Sequence, residues 1–147
     1  MAEVTARVKS IEGMQLLGES GSGHALVMDA APEVGGRNMG IRPMELLLIG
    51  LGGCASIDVL TILRKGRHEV RDCVATIKGI RAESEPKVFV RIDLHFTVTG
   101  NDIPSQAVER AIRLSEEKYC SASAMLGKTA KIVTSFDIVS PNTTGAA

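Results

Sequence analysis

Apolar and polar residues alternate with a period of two at the start of the chain: Val4, Ala6 and Val8 share one parity, and Thr5, Arg7 and Lys9 the other. That pattern predicts a strand with one wet face. The run Gly18-Glu19-Ser20-Gly21-Ser22-Gly23 is rich in residues that tolerate positive φ. With Ala25-Leu26-Val27-Met28 after it, it predicts a hairpin turn and a returning strand. No Gly-Lys-Ser/Thr closes the glycine run, so it is not a phosphate-binding P-loop. Pro32 to Pro43, with Gly35, Gly36, Asn38 and Gly40, has the composition of a surface loop.

From Met44 to Leu63 the chain is apolar on nearly every side, which predicts one long buried helix. Pro43 suits its first turn, and Arg64, Lys65 and Gly66 suit its end. Such a helix must be enclosed on several sides, and a partner subunit would supply cover that a small domain lacks. Asp58, Ser56, Thr61 and the glycines at 50, 52 and 53 make a membrane-spanning role costly.

Beyond Gly66 the period of two returns. Cys73, Ala75 and Ile77 share a parity, as do Val88, Val90, Ile92, Leu94, Phe96 and Val98, with Glu83-Ser84-Glu85-Pro86 as the turn between two strands. Asp102 and Pro104 open a second helix with Val108, Ala111, Ile112 and Ser115 along one stripe and an outward Glu109–Arg113 pair. A bend is expected at Tyr119-Cys120-Ser121, then a short helical piece through Leu126, then a last strand marked by Ile132, Thr134, Phe136 and Ile138. The length suits one domain over residues 1–140, with 141–147 as a tail.

Composition narrows the function. The 17 basic and 17 acidic residues cancel, which disfavours electrostatic capture of nucleic acid or of a membrane surface. With no Trp, one Tyr and three Phe, the chain has few platforms on which bases or sugars could stack. Cys54, Cys73 and Cys120 are odd in number and form no CxxC pair, a poor match to a disulfide scaffold or a zinc site. A reducing compartment fits them better, and the charged, alternating start is unlike a signal peptide, so a cytoplasmic location is expected.

Two thiols stand out as candidate nucleophiles. Cys54 lies between Gly53 and Ala55, small neighbours that would leave it reachable from another chain or by a small ligand. Cys120 lies at a helix junction, where amides at a helix start would stabilise a thiolate. Brought together by folding, two such thiols can act as attacker and resolver, one taking oxygen from a peroxide and the other condensing with the sulfenic acid. Cys73, aligned with Ala75 and Ile77, reads as core. Gly50-Leu51-Gly52-Gly53-Cys54-Ala55 satisfies a dinucleotide-binding fingerprint, but the mixed strand that follows argues against that fold. His24, His68 and His95 lack metal-ligand spacing; hydrogen-bonded surface roles are expected for them, and no metal or cofactor is implied.

The segments Arg42-Pro43-Met44-Glu45-Leu46-Leu47-Leu48-Ile49-Gly50-Leu51-Gly52-Gly53-Cys54 and Glu117-Lys118-Tyr119-Cys120-Ser121 resemble the two cysteine motifs of the OsmC/Ohr family, most closely its YhfA-like branch. The likeness runs over nearly the whole chain. It implies an α+β fold in which antiparallel sheets wrap long central helices, and an intertwined homodimer with sites at the subunit interface. It further implies reduction of organic hydroperoxides, with Cys54 as the peroxidatic thiol, Cys120 as the resolving thiol, and a lipoyl-type dithiol as reductant. In peroxidase members an Arg–Glu pair holds the thiolate and the peroxide. Here Met44 fills the acid's position and Glu45 is the nearest carboxylate; on a continuous helix its nine-residue offset puts it on the face opposite Cys54, and only a break near Pro43 or the glycines would restore it. Arg37 is the first candidate for the cation and Arg42 the second.

Two functions follow. The favoured one is a thiol peroxidase acting on small or lipid-like hydroperoxides. The alternative is a non-enzymatic dimer on the same scaffold that binds a small molecule or senses redox state, for which Met44 in place of the acid is the main support. A nucleotide-binding enzyme is the third class, supported only by the glycine fingerprint.

Overall fold

The computed structural model of the chain describes residues 1–141. The expected tail beyond Pro141 lies outside the described residues. The chain divides into two compact units, residues 1–47 and residues 48–147.

The first unit is built on a three-stranded antiparallel meander of β1 (Ala6–Ser10), β2 (Leu16–Ser20) and β3 (Ala25–Met28). The glycine run is less of a turn than its composition predicts. Gly18 and Glu19 are central in β2, paired to β1 on one side and β3 on the other, and the turn is confined to the residues between Ser20 and Ala25. A Cβ at Gly18 would meet Met28 Cε at 3.1 Å, so this glycine gives the neighbouring side chain room, whereas Gly23, at φ +95°, is the one that needs its conformational freedom.

After β3 the buried Asp29 organises the loop. Its carboxylate accepts backbone N–H bonds from Ala30 (2.8 Å), Arg37 (3.0 Å) and Met39 (3.1 Å). Those donations, chiefly from Arg37 and Met39, hold its carboxyl below the ordinary carboxylate range despite the opposing effect of burial.

Helix α1 (Pro43–Lys65) is one continuous helix, as the apolar run predicts. Its first turn is capped from within: the Glu45 carboxylate accepts the Arg42 backbone N–H at 2.8 Å, the reach-back of an acidic third residue to the cap position. Along its body Leu51, Gly52, Ala55, Val59 and Leu63 are buried. Gly52 sits so close to β4 (Glu69–Arg81) that a Cβ there would collide with the Ile77 side chain. The expectation of burial on nearly every side is met only on this stripe. Ile49 and Ile57 stay 52% and 66% exposed, so the helix carries apolar residues outside its buried stripe. By length and composition α1 is long and apolar enough to cross a membrane, a property shared by core helices.

In the second unit β4 pairs antiparallel with β5 (Phe89–Asn101), and β5 pairs parallel with β6 (Lys131–Val139). Antiparallel pairing was expected throughout. The parallel pair arises because α2 (Ser105–Leu114) and α3 (Ser121–Leu126) form a crossover that returns the chain to the starting end of β5. Alternation along β5 buries Ile92, Leu94, Phe96 and Val98, and α2 buries Val108, Ala111 and Ile112, the stripe read from the sequence.

Candidate functional site

The chemistry converges within the second unit, where one turn of α1 meets the junction between α2 and α3. Cys54 and Asp58 are four residues apart on α1 and therefore share a face. At the other side α2 widens into a single π-helical turn over Ser115–Tyr119, closed by a Cys120 N–H bond to the Ser115 carbonyl at 2.8 Å. The chain then becomes extended at Cys120 (φ −79°, ψ 103°), which caps α3: its sulfur accepts the Ser123 N–H at 3.3 Å. The bend expected at Tyr119-Cys120-Ser121 is this junction.

The sulfurs of Cys54 and Cys120 and a carboxylate oxygen of Asp58 all lie within 4.8 Å of one another. Cys120 is 3% exposed and Cys54 half-buried. The buried Ser115 hydroxyl donates to Asp58 Oδ2 at 2.9 Å. Burial pushes the Cys120 thiol up from its ordinary range; the hydrogen bonds from Ser123 oppose this, and the neighbouring Cys54 adds to it. Beside Asp58 opens a cavity of about 500 Å³, also lined by Thr61, Lys65, Arg110, Leu114 and Tyr119. Gly53 has nothing within 4 Å of where a Cβ would stand, so the backbone next to Cys54 is open on that side.

Two thiol sulfurs and a carboxylate can do two kinds of chemistry. They are the soft and hard donors a divalent cation such as zinc accepts, and they are also a dithiol pair with an acid–base group beside it. None of the three histidines belongs to the cluster. His95 instead bridges Ser135 Oγ (2.7 Å) and Asp137 Oδ2 (3.0 Å) on the outer sheet face, the hydrogen-bonded surface role expected of it.

The other predicted residues are placed as follows. Cys73 is half-buried on β4, its thiol pushed up by burial and by Asp72, with Arg64 opposing. Arg37 lies on the loop ordered by Asp29, with its guanidinium 3.8 Å from Glu12. The Arg42 side chain bonds Asn38 Oδ1 at 2.9 Å and the Gly40 carbonyl at 3.2 Å. The break that would turn Glu45 toward the Cys54 face is absent, since α1 runs unbroken through Gly50, Gly52 and Gly53. That continuity also removes the dinucleotide fingerprint: its glycines are in mid-helix instead of at a strand-to-helix turn.

Sequence reading missed Asp58 and Ser115 as site residues. The Cys54-x-x-x-Asp58 spacing was a usable signal, since it is one helical turn; Ser115 was visible only as a hydroxyl at the end of an apolar stripe.

The fold matches a known class. The family model for OsmC-like proteins covers residues 35–135, and the chain belongs to that family. Among individual relatives, it is 47% identical over 137 residues to the protein YhfA of Escherichia coli K12, covering 91% of this chain and 97% of that one. A crystal structure of a hypothetical protein from Aquifex aeolicus is 30% identical with a TM-score of 0.85, covering 97% of this chain and all of that one. The fold is also that of an organic hydroperoxide resistance protein from Legionella pneumophila, at 16% identity, a TM-score of 0.72 and coverage of 93% and 98%.

Proposed function

We propose that this protein is a thiol-dependent peroxidase that reduces organic hydroperoxides, lipid-like ones included, through Cys54 and Cys120. The observation that carries the reading is the approach of the two sulfurs to within 4.8 Å. Cys54, half-buried beside the open backbone of Gly53, is the accessible thiol and the attacker. Its thiolate attacks the terminal peroxide oxygen, the O–O bond breaks, the alcohol leaves with a proton, and Cys54 becomes a sulfenic acid. Cys120 then condenses with it, releasing water and forming a disulfide, and an external dithiol of the lipoyl type returns both thiols. The name of the Legionella protein of the same fold supports the substrate class.

In this reading the exposed Ile49 and Ile57 of α1 are covered by a second protomer in a homodimer, and the three free thiols suit the cytoplasm. Arg37 is kept as the candidate cation, and Glu45, the carboxylate nearest the position where the family resemblance implies an acid, as the candidate acid. Each already has a partner, Arg37 in Glu12 and Glu45 in the Arg42 N–H, so recruiting either to a thiolate exchanges that partner.

The test is consumption of cumene hydroperoxide driven by dihydrolipoamide. Turnover is expected in the wild-type protein and none in Cys54→Ser; full turnover in Cys54→Ser would overturn the reading. A second reading, a redox-sensing or small-molecule-binding dimer, is favoured by one observation: Met44 stands where the family resemblance implies an acid, and the nearest carboxylate, Glu45, is engaged in capping α1. It predicts saturable ligand binding without turnover.

A further inference from the structure

The carboxylate of Asp58 has no evident part in the first step of such a reaction. Attack on the peroxide asks for a group that stabilises negative charge, which a carboxylate beside the sulfurs does not supply. The second step is different. Condensation of a thiol with a sulfenic acid removes a proton from one sulfur and must supply one to the oxygen leaving the other. The group that does both has to reach both sulfurs, and Asp58 is the carboxylate grouped with both among the described residues.

We propose that Asp58 is the acid–base residue of disulfide formation, an inference that rests on the peroxidase reading above. As the Cys120 sulfur attacks the Cys54 sulfenic sulfur, its proton passes to the Asp58 carboxylate, directly or through one water. The S–O bond of Cys54 breaks, and the departing hydroxide takes the proton from Asp58 to leave as water. The carboxylate ends in its starting state, and no further reactant is needed.

Three features fit this role. Cys120 is almost fully buried and holds its proton more tightly than an ordinary thiol, so its attack needs a base. Ser115, itself buried, fixes Oδ2 of Asp58 by donating to it at 2.9 Å, and the π-helical turn that begins at Ser115 ends immediately before Cys120. Ser115 is thus a positioning residue that ties the carboxylate to the segment bearing the resolving thiol. The titratable and charged groups around Asp58 are Cys54 and Lys65 from α1, Arg110 from α2, Tyr119 from the π-helical turn, and Cys120. Arg110 and Lys65 line the cavity beside Asp58.

The experiment is a single turnover with cumene hydroperoxide in which the Cys54 sulfenic acid is trapped with dimedone and disulfide closure is followed by mass. In Asp58→Asn the sulfenic acid accumulates, closure slows roughly 10²-fold, and the acidic limb of its pH profile disappears. Asp58→Glu, which keeps a carboxylate, recovers part of the rate. Closure at the wild-type rate in Asp58→Asn, or equal slowing in the Asn and Glu variants, would overturn the proposal. Wild-type thiols that ignore the peroxide would instead sink the peroxidase reading itself. Should Asp58→Asn fail to fold, Ser115→Ala carries the test: closure slows while sulfenic acid formation keeps its rate, and equal slowing of both steps counts against the role.

Discussion

Cys120 lies within 4.8 Å of Cys54, yet its sulfur already has a structural task, accepting the Ser123 N–H at the start of α3. In the proposed disulfide the two sulfurs would close to about 2.05 Å. In the proposed cycle the atom that reacts is therefore also the atom that caps α3.

The cap predicts a difference between two substitutions of the same residue. In Cys120→Ser a hydroxyl oxygen accepts the Ser123 N–H, and stability stays near that of the wild type. In Cys120→Ala the N–H loses its acceptor, with an expected loss of about 1 kcal/mol by urea denaturation. Both variants lose dithiol-dependent turnover, which separates the chemical role from the structural one.

The two adjacent glycines before Cys54 should respond in opposite directions. Gly52→Val forces a branched side chain against Ile77 and costs about 1–3 kcal/mol. Gly53→Ala meets nothing within 4 Å and relieves the backbone entropy of a mid-helix glycine, for a gain of about 0.5–1 kcal/mol. Equal effects in thermal denaturation would contradict the close approach of α1 to β4.

Asp29 gives the first unit an acid limit. Its folded carboxyl is held below the ordinary value of 3.8, so its contribution to stability is complete above that value. It is lost as the pH falls through the lower folded value. Asp29→Asn is therefore expected to be destabilised at neutral pH, while its disadvantage against the wild type shrinks below about pH 4. Melting temperatures of both proteins across pH 2–7 check this; a constant difference would show that the charge is immaterial.

Much of this protein was readable from one sequence because its signals are local. Alternation along Ile92 to Val98 sets a strand with one buried face, although at its start Phe89 is buried and Val90 exposed, out of phase with the expected parity; the run from Met44 to Leu63 sets a helix, and the charged, small and hydroxylated residues around Cys120 mark a junction. In each case the repeat of the backbone and the apolar content of neighbouring residues suffice, since burial selects by face. The two thiols could be singled out by their surroundings in sequence.

Tertiary structure decided what depends on distant residues arriving together. Gly18 reads as a turn until β1 and β3 flank it, and β6 reads as one more antiparallel strand until the crossover brings it parallel to β5. Asp58 is a polar interruption in an apolar helix until Ser115 donates to it across 57 positions. Glu45 reads as a free carboxylate until the folded helix start shows it accepting the Arg42 N–H. Periodicity carries a side chain's face but no partner; hydrogen bonds and sulfur contacts act over a few ångströms, a distance that only the folded chain defines.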